Sequence, residues 1–137
     1  MICARDTSAL VRRYVADGHR PLVEAALADA EVWCVSDLAG LETRLALHRL
    51  SPDPWTLAAA TAAFHADWAT VHVVPVDGRC QARAAELGAT YGRRATDAVH
   101  LAAADRLPRP VRYVTFERRQ LPAASALELE VVSPLAE

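Results

Sequence analysis

The segment Arg93–Asp105 reads RRATDAVHLAAAD. Between its charged ends it is helix-forming and almost wholly apolar. Ala95, Ala98, Val99, Leu101, Ala102, Ala103 and Ala104 cover nearly every side, and a helix that is apolar all round is a buried helix. Asp97 breaks the pattern in the first turn, with His100 three residues further on. A carboxylate on a buried helix is costly unless something pairs it. Two readings are open. Asp97, or Thr96 beside it, caps the helix N-terminus, where negative charge is favourable. Alternatively, Asp97 belongs to a group of carboxylates that holds a cation.

The flanking chain sets this helix in an alternating pattern. Before it, Asp77 caps a predicted helix from Gly78 to about Leu87, closed by Gly88. After it, Pro108 and Pro110 break the helix, Val111–Phe116 (VRYVTF) reads as a strand ending at Glu117, a short helix-like segment reaches Ala126, and Leu129–Val132 is a last strand. Further upstream, Thr70–Val76 is β-branched and reads as a strand, and Trp55–Ala66 as an alanine-rich helix. Ser51-Pro52-Asp53-Pro54 breaks the chain between that helix and the one before it. That earlier helix, Asp37–Leu50, takes Ser36 as its cap and Leu38, Leu41 and Leu45 as its apolar stripe. Glu42 falls inside the stripe. Glu31–Val35 reads as a buried strand and Pro21–Asp29 as a helix opened by proline. Ala9–Ala16 is a helix capped by Thr7 or Ser8 and stopped at Asp17-Gly18. Met1–Arg5 is a first strand, ending at Asp6.

Strands alternating with helices predict an α/β fold: a central, mostly parallel five-stranded sheet with helices on both faces. Residues 1–137 are too few for more than one such domain. Open parallel sheets bind ligands at the carboxyl ends of their strands. Asp6 and Glu117 end strands, and Glu42 and Asp97 lie toward the starts of helices that begin at the same edge. All four acids are therefore expected to converge. Crowded carboxylates raise one another's pKa, a penalty that a hard divalent cation such as Mg²⁺ or Mn²⁺ removes.

Bulk properties narrow the alternatives. At 53% hydrophobic residues disorder is not expected. No apolar run is long enough to span a membrane, and the N-terminus reads as a strand without a signal peptide. Cys3, Cys34 and Cys80 are widely spaced and read as buried thiols, which fits a reducing cytoplasm. The net charge of −2 carries no overall nucleic-acid signal. All 15 basic residues are arginine, with pairs at Arg12–Arg13, Arg93–Arg94 and Arg118–Arg119. These read as solvated surface or as phosphate contacts through the guanidinium fork. The histidines have no zinc-binding spacing, and neither a phosphate-binding glycine loop nor a GxSxG elbow is present.

Four motifs then stand in order: Asp6-Thr7-Ser8-Ala9-Leu10, Ser36-Asp37-Leu38 with Glu42, Thr96-Asp97-Ala98-Val99-His100-Leu101-Ala102, and Thr115-Phe116-Glu117-Arg118. Together they resemble the motifs of PIN-domain ribonucleases, and among these the VapC-type toxins of toxin–antitoxin pairs. The resemblance spans nearly the whole chain, and the TDAVHLA segment is its most specific part. It implies a PIN-like fold over residues 1–137 and Mg²⁺- or Mn²⁺-dependent cleavage of RNA by water attack. Asp6, Glu42 and Asp97 would be the central metal ligands, with Glu117 as the fourth acid. It also implies a small cognate antitoxin partner and commonly a homodimer. On the chemistry of the guanidinium fork, Arg93, Arg94 and Arg118 are the candidate RNA contacts. By family analogy, the helices around Ala9–Ala30 and Trp55–Ala66 would supply partner surfaces.

The sequence departs from the family in two places. Glu117 stands where aspartate is usual, and Arg5 precedes Asp6 where an apolar strand residue is usual. Of the alternatives, a non-catalytic PIN-like binding module has the same sequence features. A phosphatase with Asp6 as nucleophile needs a second acid two residues on, where Ser8 stands. A phosphoacceptor domain pairs its aspartate with lysine, which this chain lacks. His100 reads as a hydrogen-bonded core residue, and Ser8 and Thr115 as caps, strand residues or holders of metal-bound water. Trp33, Trp55 and Trp68 read as core or interface aromatics.

Overall fold

The computed structural model describes residues 1–135. Its strands are β1 (Ile2–Arg5), β2 (Val32–Ser36), β3 (His72–Val74), β4 (Val111–Val114) and β5 (Glu130–Val132). They form one sheet in the order β3-β2-β1-β4-β5, and every neighbouring pair is parallel. The helices are α1 (Thr7–Val11), α2 (Arg20–Ala28), α3 (Asp37–Leu50), α4 (Pro54–Trp68), α5 (Gly78–Tyr91), α6 (Ala95–Asp105) and α7 (Leu121–Ala126).

Strand alternation divides the core. Ala4 lies level with Cys34 and Tyr113, and these pack on one face against Leu87 of α5, Leu101 and Ala102 of α6, and Ala123 of α7. Cys3, Val35 and Val114 point to the other face, where α1 to α4 cover them with Leu10, Val23, Leu27, Leu47 and Phe64. Both faces are thus covered, as an all-parallel sheet requires. The three cysteines are free and buried. No helix among the described residues is long and apolar enough to cross a membrane.

α6 is enclosed as its composition requires: Asp97, Ala98, His100, Leu101, Ala102, Ala103 and Ala104 are all buried. Its nearest helical neighbour is α5, and here the expected boundary is corrected. α5 runs through Gly88 and ends at Gly92, whose φ of +62° suits a glycine C-cap. Gly88 serves close packing instead. A Cβ there would stand 3.3 Å from the Arg93 carbonyl and 3.6 Å from Ala98 Cβ.

Other expectations change in position. α1 begins at Thr7, and its cap is Asp6, not Thr7 or Ser8. The stripe expected on α3 is wrong. Leu41 and Leu45 are 52% and 60% exposed, while Ala39, Gly40, Thr43, Ala46 and Leu47 face inward. Small residues win that face because α3 lies close to its neighbours; a Cβ on Gly40 would meet the Trp68 ring at 2.8 Å. β4 ends at Val114, so Glu117 lies beyond the strand in the loop that follows. Trp33 and Trp68 are partly buried against the core, but Trp55 is 81% exposed.

Candidate active site

From β1 the chain winds outward through β2 to β3, then returns to place β4 on the other side of β1. The winding reverses between β1 and β4, and at their carboxyl ends the diverging connections leave a crevice. Asp6 follows β1 directly, and its backbone N–H donates to the Val114 carbonyl at the end of β4 (3.3 Å). The first turn of α6 brings Asp97 over the same point, and α3 brings Glu42 to the opposite wall. Asp6, Glu42, Asp97 and Glu117 all line a single cleft of about 370 Å³.

Asp6 is held on every side. Its Oδ1 accepts from Ser8 Oγ (2.7 Å) and the Ala9 N–H (3.0 Å), the latter being the α1 cap. Its Oδ2 accepts from Thr115 Oγ1 (2.6 Å) and Gln120 Nε2 (3.1 Å). Burial raises the Asp6 pKa above the ordinary carboxylate value, against the opposing pull of the Thr115 and Ser8 hydrogen bonds. Ser8 and Thr115 thus act on the carboxylate itself. Ser8 Oγ also receives the Phe116 N–H (2.9 Å) and Thr115 Oγ1 the Glu117 N–H (3.0 Å), which fixes the loop after β4.

Asp97 shares a donor with Asp6. Gln120 Nε2 reaches Asp97 Oδ1 at 3.0 Å, and the Gln120 carbonyl accepts from the Tyr113 hydroxyl at 2.6 Å. Burial, with Asp6 and Asp97 nearby, pushes the Tyr113 phenol well above its usual value, so it remains a donor. Asp97 Oδ2 is buried with no hydrogen-bond partner. Its nearest opposite charges are Arg93 Nη1 and Arg94 Nε, each 3.7 Å away.

Glu42 belongs to a second group. Its Oε1 accepts from Thr7 Oγ1 and His100 Nε2, both at 2.7 Å. Ser36 Oγ holds the other ring nitrogen of His100 at 2.9 Å. The His100 hydrogen bond is the main reason that the Glu42 pKa is lowered, though partial burial opposes it. His100 is therefore the hydrogen-bonded core residue expected. Ser36 occupies the cap position of α3 without making a side-chain cap bond, because its hydroxyl faces His100.

The four acids share a cleft but not a point. Among the described residues, no three His, Cys, Asp or Glu side chains are grouped as a metal ligand set. Asp6 and Asp97 meet through Gln120, Glu42 turns toward His100, and Glu117 stands at the rim. The arginines differ from expectation too. Arg94 lines the cleft with Arg12 and Arg49, whereas Arg93 and Arg118 do not. Arg93 is mostly covered and Arg118 is exposed elsewhere. Arg12 is fixed by the Ser8 carbonyl (2.7 Å) and lies 4.0 Å over the Phe116 ring. Gln120 carried no signal in the sequence: one amide in a short polar turn looks like surface, yet it is fully buried.

A parallel sheet with two buried aspartates at its topological switch and arginines at the cleft mouth defines an α/β protein with an acidic site. The chain belongs to the PIN domain family, whose model matches residues 5–125. Solved structures repeat the fold at low identity. A toxin–antitoxin complex from Klebsiella pneumoniae aligns with a TM-score of 0.71 at 15% identity, covering 96% of this chain and 97% of the other. VapBC2 from Rickettsia felis, bound to a promoter DNA fragment, aligns at 0.67 and 13%, covering 96% and 98%. VapBC-5 from Mycobacterium tuberculosis aligns at 0.63 and 20%, again covering 96% and 98%. No curated protein sequence matches.

Proposed function

We propose that this protein is a divalent-metal-dependent endoribonuclease and the toxin of a toxin–antitoxin pair. The observation that carries the reading is the Oδ2 of buried Asp97, which has no hydrogen-bond donor and only two guanidiniums at 3.7 Å, on a cleft it shares with the buried Asp6. A desolvated carboxylate oxygen without a donor is expensive, and a hard cation is the partner such oxygens suit. Asp6 and Asp97 would hold Mg²⁺ or Mn²⁺, with Glu42 and Glu117 contributing from the wall and rim. A cation so bound supplies an activated water and stabilises charge on the phosphodiester.

The chain's own residues do the rest. Arg12, Arg49 and Arg94 line the approach and suit backbone phosphates. Thr7 and His100 keep Glu42 ionised and oriented. Ser8, Thr115 and the Ala9 N–H fix Asp6, so the geometry is set before substrate arrives. The toxin assignment is supported by membership of the PIN domain family and by similar structures that are themselves toxin–antitoxin complexes. Leu41, Leu45, Leu50 and Trp55 are large apolar side chains exposed on α3 and α4, which suits an antitoxin or a second copy of the chain. A reducing cytoplasm suits the three free thiols.

The test is cleavage of single-stranded and structured RNA by purified protein, stripped with chelator and then resupplied with Mg²⁺ or Mn²⁺. Cleavage is expected only with metal. Asp6→Asn and Asp97→Asn are each expected to lower it by about 100-fold or more, since even the outer partners of metal ligands are worth 10–100-fold. Full cleavage in chelator would contradict the metal reading. Undiminished cleavage by both variants would remove the aspartates from the site. No cleavage of any RNA by the wild type would return the protein to a binding module.

A further inference from the structure

We propose that Gln120 is a latch on the carboxylate pair. Its amide donates to both Asp6 and Asp97, the carboxylates that would hold a divalent cation, so that loading the cation requires the amide to move aside. The inference rests on the metal-dependent reading above and adds a residue that opposes loading.

The geometry is unusually constrained. Gln120 is fully buried. A primary amide has two N–H donors, and here Asp6 Oδ2 at 3.1 Å and Asp97 Oδ1 at 3.0 Å take both. Asp6 Oδ2 already accepts from Thr115 Oγ1, so the NH₂ end faces the carboxylates and the carbonyl faces the Tyr113 hydroxyl, 2.6 Å away. The hydrogen-bond network therefore settles the amide orientation. The positive end of the amide dipole points at the two carboxylates that would hold the cation.

Asp6 strengthens the argument. Ser8, the Ala9 N–H, Thr115 and Gln120 supply four donors to its two oxygens, about as many as a carboxylate can accept. One of them must leave before a cation can bind. The Ala9 N–H is locked in the cap of α1, and Ser8 and Thr115 are each fixed by a further backbone N–H. Gln120 makes the longest of the four bonds, at 3.1 Å, and does so through the longest side chain. Asp97 Oδ2, buried without a hydrogen-bond donor and with Arg93 and Arg94 no nearer than 3.7 Å, is the foothold at which a cation can first engage before the amide yields.

The experiment is calorimetric titration of Mn²⁺ into the protein as wild type, Gln120→Met and Tyr113→Phe. Methionine keeps length and flexibility and removes both donors. Tyr113→Phe releases only the carbonyl end of the amide. Gln120→Met is expected to bind Mn²⁺ at least about tenfold more tightly, which corresponds to about 1.4 kcal/mol, and Tyr113→Phe more tightly by a smaller factor. Gln120→Met decides the matter if it folds, and Tyr113→Phe decides it otherwise. Unchanged affinity, with the wild type binding, overturns the latch and leaves the metal reading standing. Weaker binding also overturns it, because the amide would then be turning its oxygen toward the cation as a ligand. Binding by none of the three overturns the latch and the metal reading together.

Discussion

Arg5 sits in surroundings that do not suit a charge. It is 2% exposed on the sheet face covered by α1 to α4, and none of its three guanidinium nitrogens has a hydrogen-bond partner. Burial lowers its pKa, opposed by the nearby Tyr14, Cys3 and Asp67, and the Trp33 ring lies 5.4 Å away. The first strand keeps its full length in spite of the arginine, and the side chain points away from the acidic cleft. A buried charge without hydrogen bonds is a net loss that an apolar residue of similar length removes. Arg5→Met is therefore expected to raise stability by about 1 kcal/mol or more, read as a higher Tm. A lower Tm would mean that the stacking on Trp33 outweighs the desolvation. At this scale, the sequence revealed Asp6 and Asp97 because charge on a buried strand end or helix stands out against its apolar neighbours. Gln120 and Arg49 were invisible, since polar residues in turns and at helix ends look alike until the chain folds over them.

Between elements, a polar tie holds the turn after α1 to the end of α4. Asp67 accepts from Arg13 Nε at 2.6 Å and from the Tyr14 hydroxyl at 2.7 Å. Burial acts to raise the Asp67 pKa, but the Arg13 and Tyr14 hydrogen bonds overcome it and the net shift is downward. A carboxylate whose pKa is depressed on folding contributes stability above its unfolded value, and that contribution is lost as pH falls through the folded value. Asp67→Asn is thus expected to cost about 1–3 kcal/mol near neutral pH. The deficit should shrink as the pH falls below the ordinary value of 3.8. Thermal melts of both proteins between pH 3 and 7 would show it, and a deficit independent of pH would place the effect in packing alone. Element type was legible for most segments because periodicity and breakers report it. The inward face of α3 was not. Its leucines suggested one stripe, while close approach to Trp68 selects the small residues of another, and closeness between helices leaves no periodic mark. Gly88 misled for the same reason, as a stop signal that serves packing.

For the whole molecule, the alternation of strands and helices was enough to predict the sheet and the edge at which the acids gather. It could not show how they would be grouped once there. That grouping depends on side chains distant in sequence, with Tyr113, Gln120 and His100 deciding which acid faces which. In our account, the fold places two buried aspartates at the switch between β1 and β4 to hold a divalent cation. The most direct measurement is an anomalous difference map from crystals of the wild-type protein grown with Mn²⁺. The account predicts a single strong peak in bonding contact with both Asp6 and Asp97, absent from crystals of Asp97→Asn. A peak bound elsewhere on the chain, or an empty cleft at millimolar Mn²⁺, would contradict it.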